Sequence, residues 1–300
     1  MAVTWGERML SVVHRCDAFN QRLSKDDCIP FCIGSEQYGL VREDCWRELA
    51  KFPDVFVVDG KEKVVKLSEQ LGTVEKRTEK VNEILMKLRE DEVFHCLKGW
   101  RNEMYPVSKS YHAPPVFLIE RAGAGLLGIK QYGCHLNGYF HTDESLLMWI
   151  SRRSLNKPTF PDKLDNLAAG GLPVGMKVKD NIVKECYEEA AIPTDVASRA
   201  ISVGSISYFF EDERGLFPET QFLFDLELAP DFKPVANDGE VEQFYCWPLD
   251  QVKEEISSGS FKPNCALVVL DFLIRHGYVT ADNEQLYEVL VTSLHRIHPF

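Results

Sequence analysis

The chain has 300 residues, 45% of them hydrophobic and 27% charged, which fits a packed globular protein of one large or two ordinary domains. Its formal net charge of -12 argues against nucleic acid as the main partner, because gripping a phosphate backbone needs a basic surface. A small phosphorylated ligand stays open, since a metal ion and a few local cations can invert the field at one site. The nine cysteines are dispersed, with no CxxC pair and no zinc-like spacing to histidine, as expected of reduced thiols in a cytosolic setting.

No apolar stretch approaches the roughly 18 residues that span a bilayer, and the N-terminus lacks the apolar core of a signal peptide. The expected location is therefore the cytoplasm, with no membrane partner. Arg8 and Arg15, offset by Glu7 and Asp17, leave a mitochondrial presequence as the alternative. The eight histidines show no ligand spacing and are expected to be structural or superficial.

Thr4 and Glu7 have capping-box spacing, and Met9, Leu10, Val13, Cys16 and Phe19 then mark a helical apolar stripe. Residues 29–33 read as a short strand, 42–52 as a helix and 55–58 as a buried strand. The stretch 71–100 is helical and charge-rich, with Val81, Ile84, Leu85, Leu88 and Phe94 facing inward. After Pro114-Pro115 the texture changes. Residues 116–120 and 126–132, joined by Ala122-Gly123-Ala124-Gly125, read as a hairpin. Strands are expected at 136–140 and 146–151, a polar loop at 156–165 and a helix at 180–190. Further strands follow at 201–210, 221–228 and 241–247, and a helix at 264–276. The class is α+β, with an N-terminal α+β part followed by a mixed sheet with helices packed on it.

The segment with the clearest chemistry is Lys184-Glu185-Cys186-Tyr187-Glu188-Glu189. Glu185, Glu188 and Glu189 stand at i, i+3 and i+4 and share one helix face, while Ile182, Val183, Cys186 and Ala190 hold the helix down from the adjacent face. Three carboxylates this close repel unless something neutralises them, and Mg²⁺ prefers oxygen ligands. A solvated acidic face with lysine partners explains the same letters. The preceding Gly170-Gly171-Leu172-Pro173-Val174-Gly175 tips the balance, because glycines let backbone approach an ion or phosphate and offer a carbonyl to it.

This segment resembles the Nudix box, G-x5-E-x7-R-E-U-x-E-E-x-G-U with U a bulky aliphatic residue. Gly170 takes the first glycine, Glu185, Glu188 and Glu189 the helix glutamates, and Ile192 the last aliphatic. Met176 stands at the loop glutamate, Lys184 at the arginine, Cys186 at the first aliphatic and Ala191 at the last glycine. Lysine keeps the charge but not the bidentate fork. Further residues narrow the resemblance: Gly99-Trp100-Arg101-Asn102-Glu103 with Tyr105, Gly133-Cys134-His135-Leu136-Asn137-Gly138-Tyr139, Trp149 to Ser154, Lys157, Lys163 to Asn166, Pro218-Glu219 and Asp238 to Glu242. Together they are similar to the branch of Nudix hydrolases related to fungal thiamine pyrophosphokinase fusions, over about residues 20–280.

The resemblance implies a C-terminal Nudix α/β/α sandwich over 131–300 and a smaller α+β N-terminal domain of unknown function over 1–130. It implies hydrolysis of a small-molecule diphosphate, thiamine diphosphate or an oxidised analogue, to the monophosphate and phosphate. An oxidised nucleoside diphosphate is the alternative substrate, and a ligand-binding protein without turnover the alternative class, for which Met176 speaks. Mg²⁺, or Mn²⁺ in its place, would be held by Gly170, Glu185, Glu188 and Glu189, with Glu185 either a ligand or the general base. One of Arg152 and Arg153 would meet the diphosphate, since strand alternation lets only one face a cleft. Lys163 is a weaker phosphate candidate. Trp149 and Tyr139 could stack on a heterocycle, although aromatic strand residues more often belong to a core. Glu240 and Glu242 are candidates for an extra carboxylate, as are Glu211 and Glu213. A homodimer is left open.

Overall fold

The computed structural model describes residues 3–300. The chain opens with α1 (Trp5–Cys16), capped as its sequence requires: the Thr4 side chain accepts from the Glu7 backbone N–H, and the Glu7 carboxylate accepts from that of Thr4. Strands β1 (Cys28–Ile33) and β2 (Glu36–Arg42), helix α2 (Glu43–Leu49), and strands β3 (Phe56–Asp59) and β4 (Val64–Leu67) follow. The four strands form one sheet in the order β2-β1-β4-β3. Helix α3 (Val74–Glu90) packs Val81, Leu85 and Leu88 into the core beside it. It stops well short of Trp100; a short 3-10 turn over His95–Gly99 carries the rest of the apolar pattern.

The structure corrects the expected hairpin at 116–132. Strand β6 (Phe117–Glu120) pairs instead with β5 (Met104–Val107), and Arg121–Leu126 forms a 3-10 turn. The glycines serve close packing rather than chain reversal. A Cβ on Gly123 would lie 2.5 Å from a Leu85 methyl, and one on Gly125 2.6 Å from the Phe217 ring.

Strands β7 (Gln131–His141), β8 (Leu146–Arg153), β9 (Leu164–Asp165) and β10 (Ala168–Gly171) begin the second half. Helices α4 (Val178–Ala190) and α5 (Thr194–Ala197), strands β11 (Ile201–Asp212), β12 (Gly215–Glu227) and β13 (Val241–Pro248), and helices α6 (Leu249–Ser258), α7 (Pro263–Arg275) and α8 (Tyr287–Ser293) complete it. Its sheet is seven-stranded and mixed, with the path β11-β12-β7-β8-β13 and with β10 and β9 attached to β7 and β8. Only β7 and β12 run parallel within it. Strand β7 changes partner along its length, pairing with β10 over Gly133–Leu136 and with β8 over Gly138–His141. That fork opens the sheet next to α4.

Helices α4 and α5 cover one face through Ile182, Cys186, Ala190 and Ala197. Helices α1, α6, α7 and α8 cover the other. The second half is thus the expected α/β/α sandwich. Helix α7 is buried from Pro263 to Leu273 and apolar there except for Asn264 and Asp271, the mark of a helix enclosed by others. One of its enclosing partners is α1: Met9, Val12, Val13 and Cys16 join the α7 core, and Trp5 Nε1 donates to the Lys253 carbonyl at 2.7 Å. The first helix of the chain therefore packs on its last third. No helix among the described residues is long and apolar enough to cross a membrane.

Candidate active site

Helix α4 buries Ile182, Cys186 and Ala190 against the sheet and turns its glutamates toward β10. Glu189 is the most enclosed, at 9% exposure, and accepts the Ala169 N–H at 2.9 Å. Glu185 lies against Gly170, where a Cβ would meet its carboxyl carbon at 2.3 Å. That position takes glycine so that a carboxylate and the strand backbone can occupy one place. Glu188 is more open and bonds Lys184 Nζ at 2.5 Å, while the same ammonium reaches Glu185 at 3.4 Å. The helix ends at Ala191 in the left-handed conformation (φ 51°), which the family's glycine adopts freely and alanine adopts at a cost of about 1 kcal/mol.

Burial sets the chemistry of these acids. It pushes the Glu189 carboxyl well above the ordinary carboxylate value, and the charges of Asp165 and Glu185 add to the effect. Burial also raises Glu185, with Lys184 opposing and Glu188 assisting. The donor set is oxygen throughout, and its carboxylates want positive charge. Both properties fit a hard divalent cation, which Gly170, Glu185, Glu188 and Glu189 could hold.

These residues line a cleft of about 690 Å³. Its lining also includes Gly171, His135, Arg153, Lys157, Asp165, Gln221 and Glu240, together with Arg101, Glu103, Tyr105 and Arg121 from the segment before β7. Lys157 pairs with Glu240, so of the two candidate acids after Asp238-Gly239 it is Glu240 that reaches the cleft. Glu242, one residue further along β13 from Val241, is exposed and outside it. Glu211 and Glu213 lie elsewhere, Glu211 on β11 against Arg22 and Arg42.

Of the two arginines, Arg153 turns inward and Arg152 outward, where it pairs with Asp162 at 2.7 Å. Arg153 is already committed: its guanidinium donates to Asp165 at 2.8 Å and to the Phe160 and Thr159 carbonyls, both at 3.0 Å. It shapes the loop over the cleft. Three other candidates also stand apart from the cleft. Lys163 donates to the Gly259 carbonyl at 2.9 Å. Trp149 packs in the α4-side core beside Phe140. Tyr139 packs on the opposite side against Phe272 and His276. The tyrosines at the cleft are Tyr105 and Tyr132, the latter stacked on Phe222. Met176, in the turn before α4, is not among the lining residues.

Sequence reasoning assigned no role to Asp165, His135 or Lys157, although all three stand in the series that carried the resemblance. All three line the cleft, and the buried Cys265 thiol behind them donates to Asp165 at 2.7 Å. Burial disfavours charge on Asp165, but Lys262, Arg153, His135 and that thiol outweigh it and hold its carboxyl far below the usual range. Burial pushes His135 down to about 4, so its imidazole is neutral; its Nδ1 meets the Asn166 side-chain oxygen at 2.8 Å. The ligand atoms of His135, Asp165 and Cys265 lie within 4.8 Å of one another, yet Asp165 is saturated by Arg153, Cys265 and the Asn166 N–H. The trio is a hydrogen-bonded cluster. Arg153→Met should therefore take away the ion-pair partner of the buried Asp165 carboxylate and cost about 3–5 kcal/mol, measurable by urea unfolding. A variant as stable as the wild type would show that the pair contributes nothing.

A family profile described as a domain of unknown function, DUF4743, matches residues 8–131. Nudix hydrolase 20, chloroplastic, of Arabidopsis thaliana is 41% identical over 282 residues, covering 90% of this chain and 73% of that protein. Nudix hydrolase 24, chloroplastic, of the same plant is 40% identical over 275 residues, covering 91% and 74%. Among solved structures, the NUDIX domain of Shewanella oneidensis NrtR complexed with ADP ribose is 14% identical. It covers 50% of this chain and 89% of that one, at a TM-score of 0.39. At the identity and coverage of these two plant proteins, the chain belongs to the Nudix hydrolase family.

Proposed function

We propose that this Nudix hydrolase cleaves the diphosphate of a small molecule in the cleft beside α4, with Mg²⁺ held by the Gly170 carbonyl, Glu185, Glu188 and Glu189. Mn²⁺ fits the same oxygen set. The observation that carries the reading is the packing of Glu185 onto Gly170. It leaves no room for a side chain at residue 170 and brings backbone and carboxylate to one point. When bound, the cation lowers the pKa of a water and neutralises charge developing on the phosphate oxygens. The residues supply the rest. Ala169 N–H fixes the Glu189 carboxylate, Lys184 holds Glu188 and steadies Glu185, and the Arg153–Asp165 pair shapes the floor. Glu185, half-buried with a raised pKa, suits either a ligand or a base for the attacking water.

Thiamine diphosphate or an oxidised analogue is the substrate we favour, giving the monophosphate and phosphate. The support is the resemblance of a run of residues to the thiamine-related branch, several of which line the cleft: Arg101, Glu103, His135, Lys157, Asp165 and Glu219. Tyr132 offers an aromatic face there for a heterocycle. We also propose 131–300 as the Nudix domain and 1–130 as the N-terminal domain, with α1 reaching across to the former.

Phosphate release from a panel of thiamine, oxidised thiamine and nucleoside diphosphates tests both levels. Mg²⁺-dependent release with a thiamine-type preference is expected, and Glu188→Gln should lower it by at least about 100-fold. No Mg²⁺-dependent release, or equal release by the variant, would refute hydrolysis at this site. A nucleotide preference would refute the substrate.

A further inference from the structure

We infer that the N-terminal domain forms part of the substrate-binding wall, with Arg101, acting beside Lys262 and Gln131, taking phosphate oxygens of the substrate. This rests on the hydrolytic reading above and adds a role for the domain of unknown function. Six cations line the cleft, and four are committed to acids: Arg121 to Glu103 at 2.9 Å, Arg153 to Asp165 at 2.8 Å, Lys184 to Glu188 at 2.5 Å, and Lys157 to Glu240. Neither Arg101 nor Lys262 forms a direct ion pair or donates a side-chain hydrogen bond to protein among the described residues, although the Lys262 charge is felt by Asp165. Gln131, 8% exposed at the head of β7, adds a buried side-chain N–H group with no acceptor. Uncommitted donors converging on one cleft are what a bound anion satisfies.

The segment that carries Arg101 is built to hold still. The backbone N–H groups of Arg101 and Glu103 donate to the Glu120 carboxylate at 2.9 and 3.2 Å. Glu120 is 1% exposed, and its own N–H donates to Asn82 of α3 at 2.8 Å. Trp100 Nε1 donates to Asn102, whose backbone is left-handed (φ 58°). The N-terminal domain thus grips this loop from behind, and the Val174 N–H bonds the Met104 carbonyl at 3.0 Å to fasten it to the loop before α4. Arg101 is exposed at the rim of the cleft, where desolvation by its surroundings and the neighbouring Arg121 push its pKa down, which a bound anion would reverse. With the backbone of this loop held, the Arg101 guanidinium has only its own side chain to order when it offers phosphate a two-pronged contact.

The test uses the full chain and methylenediphosphonate, which cannot be hydrolysed, titrated calorimetrically in the presence of Mg²⁺. Arg101→Ala should weaken binding by about 10- to 100-fold, and in turnover raise KM more than it lowers kcat. Its thermal melting should match the wild type. Arg101→Lys should recover part of the loss, since lysine keeps the charge without the fork. Arg152→Ala, outside the cleft, should bind as the wild type does. Wild-type binding by Arg101→Ala, an equal loss in Arg152→Ala, or no binding by the wild type would each overturn the inference. If Arg101→Ala loses binding while the wild type releases phosphate from no diphosphate, the wall stands and hydrolysis falls. If the wild type hydrolyses and Arg101→Ala is unchanged, the reverse holds.

Discussion

Gly170→Ala is expected to fold and to lose about 100-fold or more in Mg²⁺-dependent hydrolysis. The new methyl would sit 2.3 Å from the Glu185 carboxyl carbon and 2.4 Å from its Oε1, and one of the two must move. Strand β10 is pinned by its pairing of Gly170 with Cys134, so Glu185 moves. Only a side chain shifts, and the backbone at residue 170 needs no left-handed conformation, so stability should change little. A displacement of about 1 Å in the machinery is enough to cost about 100-fold in rate. Circular dichroism would check the fold and phosphate release the rate. Wild-type turnover in this variant would show that Glu185 has no part in the reaction.

Glu189→Gln should remove both the metal response and its pH dependence. Glutamine keeps an oxygen for the Ala169 N–H, so local packing survives. The ionised carboxylate is lost, and with it at least about 100-fold in activity. Burial, and then the charge of Asp165, raise the Glu189 pKa above its ordinary 4.5. Between that value and the raised one, the folded metal-free protein holds a proton that the unfolded chain has released. Its stability therefore falls as pH rises through this window. Cation binding needs the ionised form, so it strengthens across the same window and offsets the loss. Melting curves with chelator and with Mg²⁺, from about pH 5 to about pH 8, should diverge in the wild type and run parallel in Glu189→Gln. Parallel curves in the wild type would count against Glu189 as a ligand.

Helix α4 was legible because its signal is local. Three acids and four apolar residues fix a helix face by spacing alone, and the structure places them as the spacing requires. Gly170 was legible through the box, but β10 was not, since Ala-Ala-Gly-Gly carries none of the branched residues that mark strands. Alternation on β8 allowed only one of Arg152 and Arg153 to face inward without saying which. It could not tell a cleft from a core either, so stacking stayed open for Trp149 and Tyr139 although the structure packs both in the core, the commoner place for aromatic strand residues. The apparent hairpin at 116–132 failed for a related reason. Glycines placed for contact with Leu85 and Phe217 look the same as glycines placed for a turn. Arg101 lies far from the box in sequence, and only the anchoring of its loop to Glu120 and Asn82 brings it to the cleft.

The packing of α1 on α7 has a mechanical meaning. The polypeptide leaves the core around α7 after α1, builds the four-stranded sheet and its helices, and returns to the seven-stranded sandwich at β7. The intervening module is therefore moored at both ends, like an insertion rather than a bead on a single string. A singly tethered module samples orientations about its linker, whereas a doubly moored one has lost most of that freedom before any ligand arrives. The loop bearing Arg101 is then a fixed rim of the cleft, present at an effective concentration that no free partner protein would match.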